Sequence, residues 1–180
     1  MLALKQIINN KKRDNNHGFS LSELMVSIAI SGIVLAGAGI TFSMGIKAYR
    51  STTAHIDASS ESSTSLFRVT RGMGDDSGLR AAIVPVTTSS DSSGWNITFR
   101  VPKGIAGTDT QINKLRYNSD LKTISFLNGT NDSWNVIGKN IIESSIVASK
   151  YNIRVMVRAK SVVGNKTTIN EMTSTIAFRN

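Results

Sequence analysis

From Leu24 to Ile46 the chain reads LMVSIAISGIVLAGAGITFSMGI, 23 residues without one charged side chain. As an α-helix rising about 1.5 Å per residue, the run is roughly 35 Å long, enough to cross the hydrocarbon core of a bilayer. The alternative is a buried core helix, but a domain of this size seldom surrounds a helix that is apolar on every face. The run therefore predicts a single membrane span. In the leader before it, Lys5, Lys11, Lys12 and Arg13 stand against Asp14, and Lys47 and Arg50 follow the run. That excess of positive charge predicts a cytoplasmic N-terminus and a body on the far side of the membrane.

The rest of the composition is mostly exclusion. The 180 residues contain no Cys and two His, His17 and His55. Disulfides, CxxC zinc sites and cysteine nucleophiles are ruled out, and a multi-histidine metal centre or a Ser-His-Asp hydrolase has almost nothing to draw on. A formal charge of +9 keeps nucleic acid, anionic lipid and acidic partners in view without choosing among them. Length suits one modest globular domain beside the span.

Between the basic leader and the apolar run stands His17-Gly18-Phe19-Ser20-Leu21-Ser22-Glu23. An ordinary secretory signal places its apolar run ahead of an A-x-A-like cut; here the punctuation comes first. A carboxylate at the edge of a membrane helix also needs a reason, because a charge at mid-bilayer costs about 2.5–3.5 kcal/mol. A Glu snorkelling to the headgroups would be tolerated, but it leaves the neighbouring residues unexplained.

The stretch from Gly18 to Val26, GFSLSELMV, resembles the signal of type IV pilins and type II secretion pseudopilins. The resemblance implies that a membrane peptidase cuts between Gly18 and Phe19 on the cytoplasmic face and that Phe19 is then N-methylated. It also implies an assembly role for Glu23, pairing with the N-terminal amine of a neighbouring subunit, an attraction much stronger in low dielectric than in water. A Gly before the cut offers no side chain to obstruct the protease. Gly32, Ala36, Gly37 and Gly39 are candidate helix-packing residues, since small side chains let membrane helices approach closely. Major pilins commonly carry a Pro in this run; its absence here favours a minor subunit.

Residues 47–71 place Tyr49, Ile56, Leu66, Phe67 and Val69 near helical spacing. The spacing predicts a continued amphipathic helix, although its Ser-rich centre, Ser59 to Ser65, is a poor helix former and has a linker as its alternative reading. The resemblance, in which a long N-terminal helix runs from membrane into head, favours helix, with His55 on its surface. Gly72, Gly74 and Asp75-Asp76-Ser77-Gly78 punctuate its end. Period-two alternation then takes over. Trp95, Ile97, Phe99 and Val101 form one strand; Leu115 with Tyr117 and Ile124 with Phe126 form two more. Tyr151 to Ala159 and Met172 to Phe178 alternate about Gly164-Asn165, predicting a C-terminal hairpin. The expected fold is α+β: a long N-terminal helix, half membrane and half amphipathic, packed on an antiparallel sheet in the manner of a pilin. The expected organisation is a leader over 1–18, an assembly helix over 19–46, an amphipathic segment over 47–83 and a sheet head over 84–180. The pattern around Ser65 to Arg71, Leu79 to Ala82 and the closing Phe178-Arg179-Asn180 is similar to W-type minor pilins (PilW), with J-type minor pseudopilins as the second resemblance.

Other candidate sites have simpler readings. Arg154, Arg158 and Lys160, with Arg100, Lys103, Lys114 and Arg116, offer a positive face for nucleic-acid phosphates; basic residues also keep exposed strands soluble. Asp75, Asp76, Asp91 and Asp132 sit among Ser, Asn and Gly without EF-hand spacing, and turn chemistry explains them better than Ca²⁺. Trp95 and Trp134 could stack on a glycan, but strand-borne Trp is more often core. Sequons beginning at Asn96, Asn128, Asn131 and Asn165 read as loop composition. No catalytic residue, metal ligand or cofactor is proposed by the body. The resulting expectation is a non-enzymatic minor pilin that helps prime or cap a type IV pilus. Its expected partners are prepilin peptidase/methyltransferase, other minor and major pilins or pseudopilins, and the inner-membrane assembly platform. It waits in the bacterial inner membrane and later joins the pilus at the cell surface. The alternatives are a J-type pseudopilin of type II secretion and a tip receptor for DNA or glycan.

Overall fold

The structure, a computed structural model, describes residues 18–73, 77–103, 109–129 and 133–178. The leader residues Lys5, Lys11, Lys12, Arg13, Asp14 and His17 lie outside the described residues, as do Gly74, Asp75, Asp76, Asn131, Asp132, Arg179 and Asn180. The chain divides into an N-terminal unit ending at Ile46 and a head beginning at Lys47. One helix, α1 (Leu21–Arg71, 51 residues), runs through that boundary.

Within the head, α1 buries Ala54, Ala58, Ser62, Ser65 and Val69. These positions fall at steps of three and four, one stripe of an α-helix. The Ser-rich centre is therefore helix, not linker, and its small side chains form the contact face. Of the apolar residues expected on that face, Val69 is buried and Leu66 packs against the core, whereas Tyr49, Ile56 and Phe67 are 71%, 61% and 58% exposed. Backbone proximity is the reason. A Cβ on Gly138 would stand 2.3 Å from Ser65 Oγ, so helix and strand meet at a distance only Gly and Ser allow. Asn170 Nδ2 donates to Ser62 Oγ at 2.8 Å, Lys139 N–H to Glu61 Oε1 at 2.6 Å, and Arg68 Nη1 to the Ile137 carbonyl at 3.2 Å.

The helix stops at Arg71, where Gly72 was expected to begin its end. Gly72 takes φ +87°, and a Cβ there would lie 2.2 Å from Ser77 Oγ, so only Gly fits this turn. Gly72 N–H bonds the Arg68 carbonyl at 2.7 Å and Gly78 N–H that of Arg71 at 3.0 Å. A short 3-10 turn, Leu79–Ala81, leads into the strands.

The expected single sheet is two antiparallel sheets. The first orders β1 (Ile83–Asp91), β2 (Gly94–Lys103), β3 (Asp109–Asn118), β4 (Thr123–Asn128) and β5 (Asn135–Gly138) as a meander. The second holds β6 (Ile141–Ala148), β7 (Asn152–Val163) and β8 (Lys166–Ala177). β7 and β8 form the C-terminal hairpin, in unbroken register from Asn152↔Ala177 to Val163↔Lys166 about Gly164-Asn165. Strands β1, β5 and β6 were not marked by alternation: β1 is Ser/Thr-rich at the sheet edge, where Pro85 costs no interior hydrogen bond. The inner faces share one core with Val69 and Leu79, including Trp95, Ile97, Phe99, Leu115, Ile124, Phe126, Ile153, Val155 and Val157. Trp95 Nε1 donates to Ser144 Oγ at 3.1 Å, and Tyr117 Oη to the Ile141 carbonyl at 3.3 Å, so polar atoms between the sheets are paired.

Candidate functional site

Gly18, Phe19 and Ser20 precede the first helical residue and are exposed. Ser20 caps α1. Its carbonyl accepts the first helical bond, from Leu24 N–H at 3.1 Å. Its Oγ accepts from Glu23 N–H at 3.3 Å, while its own N–H and Oγ–H donate to Glu23 Oε2 at 2.9 and 3.0 Å. This reciprocal S-x-x-E arrangement is a capping box, satisfying amides that the helix itself leaves unbonded. Glu23 also places negative charge in the first turn, the favourable end of the helix dipole. The carboxylate at the membrane edge thus has a structural task within its own chain. Its Oε2 is occupied by Ser20, and Oε1 has no partner among the described residues.

Down the apolar half of α1, Ser27, Ser31 and Thr41 turn their hydroxyls back to the carbonyls of Glu23, Ser27 and Gly37 at 2.8, 2.8 and 3.0 Å. Polar side chains that would be orphaned in hydrocarbon are therefore bonded internally. The span is exposed throughout, with Ile33 at 73% and Phe42 at 72%. A Cβ added at Gly32, Gly37 or Gly39 would meet nothing within 4 Å, so their smallness has no explanation inside this chain. Gly32, Ala36 and Gly39 fall on one stripe, and Gly37 lies about 140° round the helix from Gly32.

The basic candidates separate between the sheets. Arg154, Arg158 and Lys160 alternate along the outward face of β7. Arg158, however, donates to both Glu171 and Glu143, its cross-strand neighbours. Arg100, Lys114 and Arg116 share the outer face of the five-stranded sheet, with the Arg116 guanidinium 4.4 Å from the Trp134 ring centre.

A cleft of about 370 Å³ opens where the sheets part, lined by Asp91, Trp95, Tyr117, Glu143 and Ser144 among others. Both of its carboxylates are engaged. Asp91 Oδ1 accepts from Ser93 Oγ–H at 2.6 Å and Ser93 N–H at 2.8 Å, bonds that hold its carboxyl below the usual aspartate range. That is a turn, as the sequence suggested. Burial and the nearby Glu143 charge push the Tyr117 hydroxyl upward, and Trp95 is core. Among the described residues no three His, Cys, Asp or Glu side chains come together as a metal-binding group.

Sequence reasoning missed the Ser20–Glu23 pairing, although its signal was present: Ser three residues before Glu, directly ahead of an apolar run. Residues 13–39 match the family model described as the prokaryotic N-terminal methylation motif. No curated protein and no solved structure matched the chain. The motif, a type IV pilin-type signal, supports a place among type IV pilins or pseudopilins and implies prepilin peptidase processing and assembly with other pilins. With the apolar helix it fits an anchor in the inner membrane.

Proposed function

We propose that this chain, with a type IV pilin-type signal at the head of a long helix, is a minor pilin that helps prime or cap a type IV pilus. The carrying observation is the methylation motif over residues 13–39, joined to a helix whose first 26 residues, Leu21 to Ile46, are exposed along their length. In this reading the cut falls between Gly18 and Phe19, the new amine of Phe19 is methylated, and the span waits in the inner membrane with the head periplasmic. Gly32, Ala36 and Gly39 then supply a surface on which a neighbouring helix approaches closely. Glu23 receives a neighbour's amine on Oε1 while Oε2 stays with Ser20, so docking need not uncap the helix. The unbroken helix without Pro supports a minor role. Assembly as a pseudopilin of type II secretion uses the same helix chemistry and is distinguished by its partner subunits.

The test is expression of the full chain with and without its prepilin peptidase, followed by intact mass and counting of surface fibres. The reading expects a mature chain beginning at N-methyl-Phe19, Glu23→Val that is still cleaved but excluded from fibres, and fibre loss on deletion of the chain. An uncut chain, or one cut elsewhere, would sink it.

A further inference from the structure

We infer that the outer face of the five-stranded sheet binds single-stranded nucleic acid through Arg100, Lys114 and Arg116 with Trp134. The pairing register sets the face. Arg116 lies between Asn96 and Ser125, Lys114 between Thr98 and Leu127, and Arg100 opposite Ile112. These residues point away from the core that takes Ile97, Phe99, Leu115 and Phe126. Arg100 and Lys114 are exposed, Arg116 and Thr98 half-buried. Among the described residues, the two ion pairs both belong to Arg158, and no described carboxylate is ion-paired with the three cations of this face. The contrast is with the centre of β7. There the central cation is shared by two acids across the strand, whereas here the neighbouring positions are hydroxyls, an amide and aliphatics.

Charge complementarity calls for a polyanion with groups spaced along an extended chain. Lys114 and Arg116, two residues apart, stand about 7 Å apart along the strand. The half-buried Trp134 adds a flat aromatic surface, on whose ring the Arg116 guanidinium is already held. A groove or face that pairs phosphate-binding cations with an aromatic and a stacked guanidinium suits unstacked bases on a phosphate backbone. A folded acidic protein would need only the charge.

The test uses the full chain in nanodiscs of neutral phosphatidylcholine and a fluorescent oligothymidine of about twenty nucleotides, followed by anisotropy. Three phosphate contacts predict a slope of log affinity on log salt of about −2, which is about a twentyfold loss between roughly 50 and 200 mM. An Arg100→Gln/Lys114→Gln chain should retain a slope of only about −0.7, and Trp134→Ala should weaken binding without changing the slope. Arg154→Gln on the other sheet should leave both unchanged and controls for general loss of charge. The inference is overturned by the absence of salt-dependent binding, by a double variant that binds as the parent does, or by an equal loss with Arg154→Gln. Competition by polyglutamate as effective as that by the oligonucleotide would also overturn it, assigning the face to acidic proteins. None of these results bears on cleavage or fibre assembly.

Discussion

At the scale of single residues, function and stability meet at Ser20 and Glu23. Because their bonds are reciprocal, Ser20→Ala should loosen the first turn of α1 by about 0.5–2 kcal/mol, while Ser20→Thr keeps the cap. Amide hydrogen exchange in detergent should show faster exchange at Ser22 to Leu24 in the Ala variant alone; equal protection in both would remove the capping role. Asp91 offers a pH test. Its folded carboxyl is held low by Ser93, so this contribution is present above the ordinary aspartate range and is lost as pH falls through the folded value. An NMR titration should place Asp91 below the normal midpoint and Ser93→Ala should return it upward. Asn113 is a third such residue: it bonds Ser77 O, Gly129 N and Gln111 Nε2 from a fully buried site. Asn113→Ala strands the Ser77 carbonyl and the Gly129 N–H and should cost about 2 kcal/mol in chemical denaturation.

At the scale of elements, the informative feature is which face of α1 packs. The buried stripe is Ala54, Ala58, Ser62, Ser65 and Val69, and its smallness sets the helix–sheet distance. Ala58→Leu should therefore overpack the interface and cost about 1–3 kcal/mol, whereas Ile56→Ala, on the exposed side, should stay within about 0.5 kcal/mol. The reverse order in thermal unfolding would show that the large apolar stripe is the packed one. Gly138→Ala should behave like Ala58→Leu, because its new Cβ meets Ser65, and Ser65→Gly should relieve it. Tyr49, Ile56 and Phe67 lie on the exposed side of the helix, Phe67 beneath the Arg71 guanidinium.

For the whole molecule, the head holds every buried residue of the described chain, none lying before Ala54. A chain of residues 47–180 should thus fold by itself, and its circular dichroism and melting midpoint should match those of the full chain in detergent within a few degrees; collapse to a molten form would show that the span supports the core. The sequence by itself determined the membrane-length helix, the signal around Gly18, Phe19 and Glu23, the strand cores at Trp95–Val101 and Ile153–Ala159, and the terminal hairpin. Each is a local signal, carried by charge exclusion, spacing or alternation within a few residues. The capping box was legible too, since Ser20 and Glu23 are neighbours on one turn. Only the tertiary structure decided the buried face of α1, because that depends on how closely a distant strand at Gly138 approaches and not on which side chains are greasiest. It alone divided the strands into two sheets, since β1, β5 and β6 are defined by the partners they pair with. The same pairing, between residues far apart in the chain, gave Arg158 two carboxylate partners and left Arg100, Lys114 and Arg116 together on another face.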